Sequence, residues 1–151
     1  MTGTKNSGWH HWDIGGKKQI SKAWGRAEDL YLWLSDNGFI SKKANYIINN
    51  SSEANKVAKS MKGKQRCSAL LFFDWDGNKY DKVRRFDHVA ILGDILWWRP
   101  NNTYYIYYYA HTSDSYGECY LPGSKTYSSA YIQQIYKNNK YKNTKIYIYY
   151  L

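Results

Sequence analysis

Apolar positions in the first half of the chain recur at the spacing of helices. Between Ser21 and Gly38 they return every one, three or four residues, which is typical of a helix with one buried face. Ser21 is a plausible residue to cap its start, and a glycine such as Gly38 commonly follows a helix C-terminus. The serines and the glutamate at 51–53 predict a second, short helix that runs to about residue 60 and stops before Gly63.

The second half of the chain predicts mainly strands. Residues 68–75 form an uninterrupted apolar run with several aromatic residues, which is typical of a buried strand. Ser128 can begin a helix that extends from 129 to about Lys137. Further strands are predicted over residues 87–92, 95–98, 103–111 and 144–151, with Gly93-Asp94 as a turn between the first two and with Ile146, Ile148 and Tyr150 on one face of the last.

Helices segregated from a run of antiparallel strands predict an α+β domain, in which the N-terminal helix or helices pack on an antiparallel sheet. The length of 151 residues suits a single domain over 1–151, and no repeat or linker divides it. Residues 1–20 are interrupted by four glycines and are predicted to be a loop-rich N-terminal segment. No apolar run is long enough to span a membrane, and the N-terminus lacks the apolar core of a signal peptide.

The aromatic and basic content leaves several partners open. The 17 tyrosines suit half-buried strands, and the sharper alternative is a surface that stacks on sugars or bases. A formal net charge of +10 attracts anionic polymers such as the bacterial cell wall or nucleic acid. Because the basic residues are scattered, without the dense run of a nucleic-acid-binding arm, nucleic acid is the weaker candidate.

Three stretches of the chain carry a family resemblance. Residues 71–78 read Leu-Phe-Phe-Asp-Trp-Asp-Gly-Asn, residues 87–92 read Asp-His-Val-Ala-Ile-Leu, and residues 109–114 read Tyr-Ala-His-Thr-Ser-Asp. In this respect the chain resembles a family of bacterial amidase domains within the papain-like NlpC/P60 and CHAP group. The resemblance implies a papain-like fold, an amidase or peptidase activity towards cell-wall peptidoglycan, and an extracellular or cell-wall location.

The resemblance also implies roles for individual residues. His88 occupies the position of the catalytic base, with Asp87 directly before it, and His111 on the following strand is the candidate that orients the base. No cofactor and no metal are expected. If the chain is a non-catalytic binding or regulatory module on the same fold, its aromatic cleft supplies the contacts to a substrate or partner: Trp9, Trp12, Trp97 and Trp98.

The chain departs from this family at the nucleophile. The family cysteine lies in an Asp-Cys-x-Asn-Phe motif upstream of a tryptophan-rich stretch that residues 9–12 resemble, and that motif is absent here. Cys67 precedes a predicted strand and Cys119 lies in a predicted loop, whereas a reactive thiolate favours a helix N-terminus. A missing N-terminal segment or a partner chain is therefore expected to supply the nucleophile.

Two patterns suggest metal ligands less strongly. His10 and His11 are adjacent, so on an extended chain their side chains point to opposite sides. Residues 74–78 echo the start of a calcium loop without its closing acid, and a hairpin turn is the better interpretation.

Overall fold

The computed structural model describes residues 27–63, 69–76, 86–109 and 131–151 in full, and residues 11–14 and 17–20 as backbone only. Three helices and seven strands follow one another along these residues, numbered separately from the N-terminus. In chain order they are β1 (His11–Ile14), β2 (Lys17–Ile20), α1 (Ala27–Asp36), β3 (Tyr46–Ile48), α2 (Ser51–Met61), β4 (Ala69–Asp74), β5 (His88–Trp98), β6 (Thr103–Tyr109), α3 (Ile132–Ile135) and β7 (Lys145–Tyr150).

Five of the strands form one antiparallel sheet in the order β3-β7-β4-β5-β6. The C-terminal strand β7 therefore lies inside the sheet, where it pairs with β4 from Ala69 opposite Tyr150 to Asp74 opposite Lys145. This combination of separate helices and an antiparallel sheet confirms the predicted α+β class. None of the described helices is long and apolar enough to cross a membrane.

One face of the sheet is covered by α2 and α3 and is called the two-helix face. Helix α2 begins where the side chain of Asn50 accepts a hydrogen bond of 2.9 Å from the backbone N–H of Glu53. Ala54 and Ala58 on its buried side are both 0% exposed. Because these side chains are small, the helix can approach the sheet closely. The sheet contributes alternate strand residues to this core: Leu71, Phe73, Ala90, Leu92, Ile106, Tyr108, Ile146 and Ile148.

The opposite face is covered by α1 and is called the one-helix face. Tyr31 of α1 lies edge-on to Phe72, with ring centroids 5.8 Å apart, and to Phe86, at 4.9 Å. Tyr149 of β7 completes this aromatic cluster, 5.7 Å from Phe72. After the helix, Gly38 adopts a positive φ of 75°, a conformation that suits glycine at a helix C-terminus. The helices expected before the sheet thus pack on its two opposite faces.

The predicted turn at Gly93-Asp94 is wrong, because β5 is one continuous strand of 11 residues. Leu92 pairs with Tyr108, whereas Ile95 pairs with Ile106, so two residues of β5 stand opposite Tyr107 alone. This arrangement is a β-bulge. The extra residue shifts the alternation of side chains by one position. After the bulge, each side chain therefore lies on the face of the sheet opposite to the one it would occupy in a regular strand.

Three other expectations from the sequence need correction. Part of the 1–20 segment predicted as loop forms a two-stranded hairpin, β1 and β2, with Ile14 opposite Lys17. The residues between these strands are Gly15-Gly16, a pair that also favours a hairpin connection. The edge strand β3 was not predicted, since its three residues are too short for a periodic pattern. Helix α3 has four residues rather than the nine predicted over 129–137.

The other predicted elements are confirmed within the described residues. Helix α2 ends at Met61, two residues before Gly63, and Ile146 and Ile148 of the last strand point into the two-helix core, with Tyr150 packed against it. The part of α1 that the structure describes begins at Ala27, and the predicted helix start at Ser21 lies outside the described residues.

Candidate functional site

His88 is the first residue of β5 and lies on the two-helix face. It stands opposite Phe73 of β4, and the centroids of the two rings are 5.9 Å apart. Its imidazole is also nearly parallel to the indole of Trp75, with an interplanar angle of 25° and a centroid separation of 6.0 Å. The strand pairing therefore places the candidate base against two large aromatic rings at one end of the sheet, and these two rings stack on each other with centroids 4.9 Å apart.

The imidazole of His88 is partly shielded from water. Nε2 is buried and has no hydrogen-bond partner among the described residues, although the residue as a whole is only half-buried. Burial lowers the pKa of His88 below its ordinary value of 6.5, because the apolar surroundings disfavour the charged imidazolium. His88 is consequently neutral at neutral pH, and a neutral imidazole is the form that accepts a proton.

Asp87 joins the ends of β4 and β5. Its backbone N–H donates to the carbonyl of Phe73 at 2.8 Å, and its Oδ2 accepts a hydrogen bond of 2.9 Å from the backbone N–H of Trp75. These two bonds hold Trp75 and His88 at the same end of the strand pair. The structure thus gives Asp87 a positioning role next to the candidate base.

Three carboxylates gather beside this strand end. Oxygens of Asp74, Asp76 and Asp87 lie within 4.8 Å of one another, and Asp74 is only 1% exposed. Carboxylate oxygens are the ligands that Ca²⁺ and Mg²⁺ prefer, so these residues could contribute to a cation site. Asp74 continues the alternation of Leu70 and Phe72 towards the one-helix face, which is opposite to the face of His88.

Several candidate residues from the sequence fall outside the described part of the chain. These are His111, Trp9 and both cysteines, Cys67 and Cys119, while β1 describes Trp12 as backbone only. The predicted juxtaposition of His88 and His111 on one sheet face therefore stays a prediction.

Trp97 and Trp98 lie at the far end of β5, about 30 Å along the strand from His88 at ~3.3 Å per residue. Trp97 pairs with Tyr104 and is 46% exposed on the two-helix face, whereas Trp98 pairs with Thr103 and is 58% exposed on the one-helix face. The two tryptophans therefore do not form one cleft, and neither lies beside His88.

The sequence pattern does not predict which residues lie around His88 and Trp97. Trp75 was assigned to the predicted strand as an apolar residue, and only the pairing of β4 with β5 brings its ring to His88. Lys62 follows α2, yet its Nζ lies 5.0 Å from the ring centroid of Tyr104 in β6. The cross-strand partner of Trp97 was accessible from the sequence, because a hairpin centred on residues 99–102 pairs the positions on either side of it.

A scan against protein-family models gave no match, and searches of curated proteins and of solved structures gave no significant match.

The lowered pKa of His88 predicts a pH dependence of stability. Between the folded-state pKa and the ordinary value of 6.5, the unfolded chain binds more protons at this residue than the folded chain. Its contribution to stability is therefore full above 6.5 and is lost as the pH falls through the folded-state pKa. An NMR titration of the imidazole should give a pKa below 6.5, and His88→Gln should flatten the fall of unfolding free energy on acidification. A His88 that titrates at or above 6.5 contradicts the buried environment.

Proposed function

We propose that this chain carries the acid–base half of a papain-like cysteine amidase or peptidase that acts on bacterial cell-wall peptidoglycan, with His88 as the base. The observation that supports the proposal is the state of the His88 imidazole. It is neutral at neutral pH, is half-buried at the start of a strand, and lies against the rings of Phe73 and Trp75. The resemblance of residues 71–78, 87–92 and 109–114 to bacterial amidase domains adds the reaction class.

The two ring nitrogens of His88 would have different roles in the proposed reaction. Since Nε2 is buried, Nδ1 is the nitrogen that would face the nucleophile, and Nε2 is available to a residue that orients the ring. His111 is the candidate for that residue. Trp75 and Phe73 restrict rotation of the imidazole, which lowers the cost of holding it in the reactive orientation.

In the proposed reaction, His88 takes the proton of a cysteine thiol as the sulfur attacks the amide carbonyl carbon. The imidazolium then returns that proton to the departing amine as the C–N bond breaks, which leaves an acyl-thioester. A water molecule attacks the thioester in the second half-reaction, with His88 again accepting the proton, and the thiol is restored as the carboxylic acid leaves.

The thiol has three candidate sources. Cys67 and Cys119 belong to this chain, and a cysteine on a further segment or a partner chain is the third. A thiol activated beside His88 would react with iodoacetamide faster at neutral pH than a free peptide thiol does, because the thiolate is the reactive form.

The test is release of new amino groups from purified peptidoglycan. The chain is assayed alone and with unheated wall extract, and the release of amino groups by the extract alone is subtracted. Replacement of the base by His88→Gln is expected to lower the rate by about 10²–10⁴-fold, the usual contribution of general acid–base catalysis. His10→Gln provides a matched substitution at a histidine without an assigned role.

The outcomes separate the enzyme from its alternative. Activity that falls with His88→Gln and persists with His10→Gln supports the proposal. Activity unchanged by His88→Gln contradicts it. Absence of hydrolysis both by the chain alone and with the extract, together with two cysteines that react no faster than a peptide thiol, also contradicts it and favours a non-catalytic binding module on the same fold.

A further inference from the structure

A group of aromatic and cationic side chains lies at the end of the sheet far from His88. Trp97 and Tyr104 are cross-strand partners whose rings are nearly parallel, with centroids 6.3 Å apart. The ammonium of Lys62 lies 5.0 Å from the centroid of Tyr104 and 5.8 Å from that of Trp97, and the guanidinium of Arg99 lies 5.9 Å from Trp97. These four residues are called the Trp97 patch.

The β-bulge in β5 is the reason that this patch exists on the two-helix face. Nine positions separate His88 from Trp97, and regular alternation would put them on opposite faces. The extra residue at Gly93-Asp94 reverses the alternation, so that Trp97 comes to the side of the sheet where α2 ends and Lys62 follows. The bulge leaves one residue of β5 without a partner in the strand pairing, and it brings Trp97 to the same face as Lys62.

Hydrogen bonds hold the two rings in place. The indole Nε1 of Trp97 donates to Oδ1 of Asn102 at 3.1 Å. The backbone N–H of Tyr104 donates to Asn55 Oδ1 at 2.8 Å, and the side chain of Gln133 donates to the carbonyl of Tyr104 at 2.7 Å. A ligand that leaves these hydrogen bonds in place would lose less binding free energy to the ordering of side chains.

The charge of this surface is positive. Lys62 and Arg99 are exposed, and Lys59, three residues before Lys62 in the last turn of α2, is exposed as well. The phenol of Tyr104 is 3.2 Å from Nζ of Lys62 and fixes the position of that ammonium group. A surface of this kind is complementary to a ligand with repeated negative charges.

We propose that the Trp97 patch binds an acidic polysaccharide, with Lys62 and Arg99 holding carboxylate groups while the edge of the Trp97 indole contacts a sugar ring. Both cations already lie over the aromatic rings, and an anion that bridges them preserves these cation–π contacts. A nucleobase that stacks on an indole face already covered by one of these cations would have to displace it. The planar guanidinium of Arg99 offers paired donors that match a carboxylate. This inference is independent of the proposed hydrolysis, because the patch lies about 30 Å from His88.

The experiment measures binding of the full chain to a fluorescent polygalacturonate oligomer by anisotropy. Lys62→Gln and Trp97→Ala are each expected to weaken binding by about tenfold, the effect of losing one anchoring contact. Lys43→Gln is the matched charge control, and Phe39→Ala, at an exposed aromatic residue beside α1, is the matched aromatic control. Both controls are expected to change the affinity by less than about twofold. Circular dichroism of each variant shows whether the fold is retained.

Two comparison ligands sharpen the test. Neutral dextran of similar length should bind at least about tenfold more weakly than polygalacturonate, and oligo(dT) should bind more weakly as well. Tighter binding of oligo(dT) overturns the proposal in favour of single-stranded nucleic acid. Equal losses with Trp97→Ala and Phe39→Ala, or with Lys62→Gln and Lys43→Gln, overturn the site, since general charge or nonspecific apolar binding would then account for the affinity.

Discussion

Replacement of Phe72 by alanine is expected to lower the free energy of unfolding by about 3–5 kcal/mol. Phe72 is 0% exposed in the middle of β4, and its ring lies 5.0 Å from Phe86 and 5.7 Å from Tyr149 by centroid. The substitution removes apolar surface and leaves a cavity that α1 and the sheet cannot fill without moving. Because a domain of this kind is stable by only about 5–15 kcal/mol, urea denaturation followed by circular dichroism should detect the loss easily.

Phe39→Ala provides the control for the same change of side chain. Phe39 is 53% exposed and stacks on Trp33 with ring centroids 5.4 Å apart, so its loss should cost only about 1 kcal/mol. A similar cost at both positions would mean that α1 does not cover Phe72 and that the one-helix face is open.

Replacement of Ala58 by aspartate is expected to destabilise the protein by about 3–5 kcal/mol, the cost of an uncompensated buried charge. Ala58 is 0% exposed on the side of α2 that faces the sheet, and it belongs to the same core as Met61 and Ile106. A carboxylate at this position would lose its water and would also separate the helix from β6.

The neighbouring variant Lys59→Asp isolates the effect of burial. Lys59 lies one residue further along the same helix and is exposed. An aspartate at either position disfavours the last turn of the helix to a similar extent, by a few tenths of a kcal/mol. Equal destabilisation by the two variants, in the same urea titration, would show that α2 does not pack on this face through Ala58.

The chemistry of the candidate site was partly readable from the sequence. The motif at 87–92 identified His88 as the residue of interest, and the apolar run at 68–75 predicted the strand that pairs beside it. The pKa of His88 was not readable, because it depends on how deeply Phe73 and Trp75 enclose the imidazole. That enclosure arises from strand register, and register is a non-local property.

Trp97 and Trp98 are a second case in which the sequence predicts the residues of interest but not their positions relative to each other. The sequence predicts that they contribute to one aromatic cleft, but the structure does not bring them together. Trp97 and Trp98 are neighbours in sequence and lie on opposite faces of the sheet. The bulge at Gly93-Asp94 then determines which of them meets Lys62, and a pattern of hydrophobic positions does not distinguish a bulge from a turn.

Local information in the chain was sufficient for the α+β class, for α2 with its following Gly63, and for the buried strands β4 and β7, because each depends on residues within about one turn or one strand of one another. Tertiary contacts were needed for the strand order β3-β7-β4-β5-β6, for helices on both faces, and for the Trp97 patch. The physical reason is that these features join residues far apart in sequence. Their stability comes from burial and pairing that exist only once the sheet has formed.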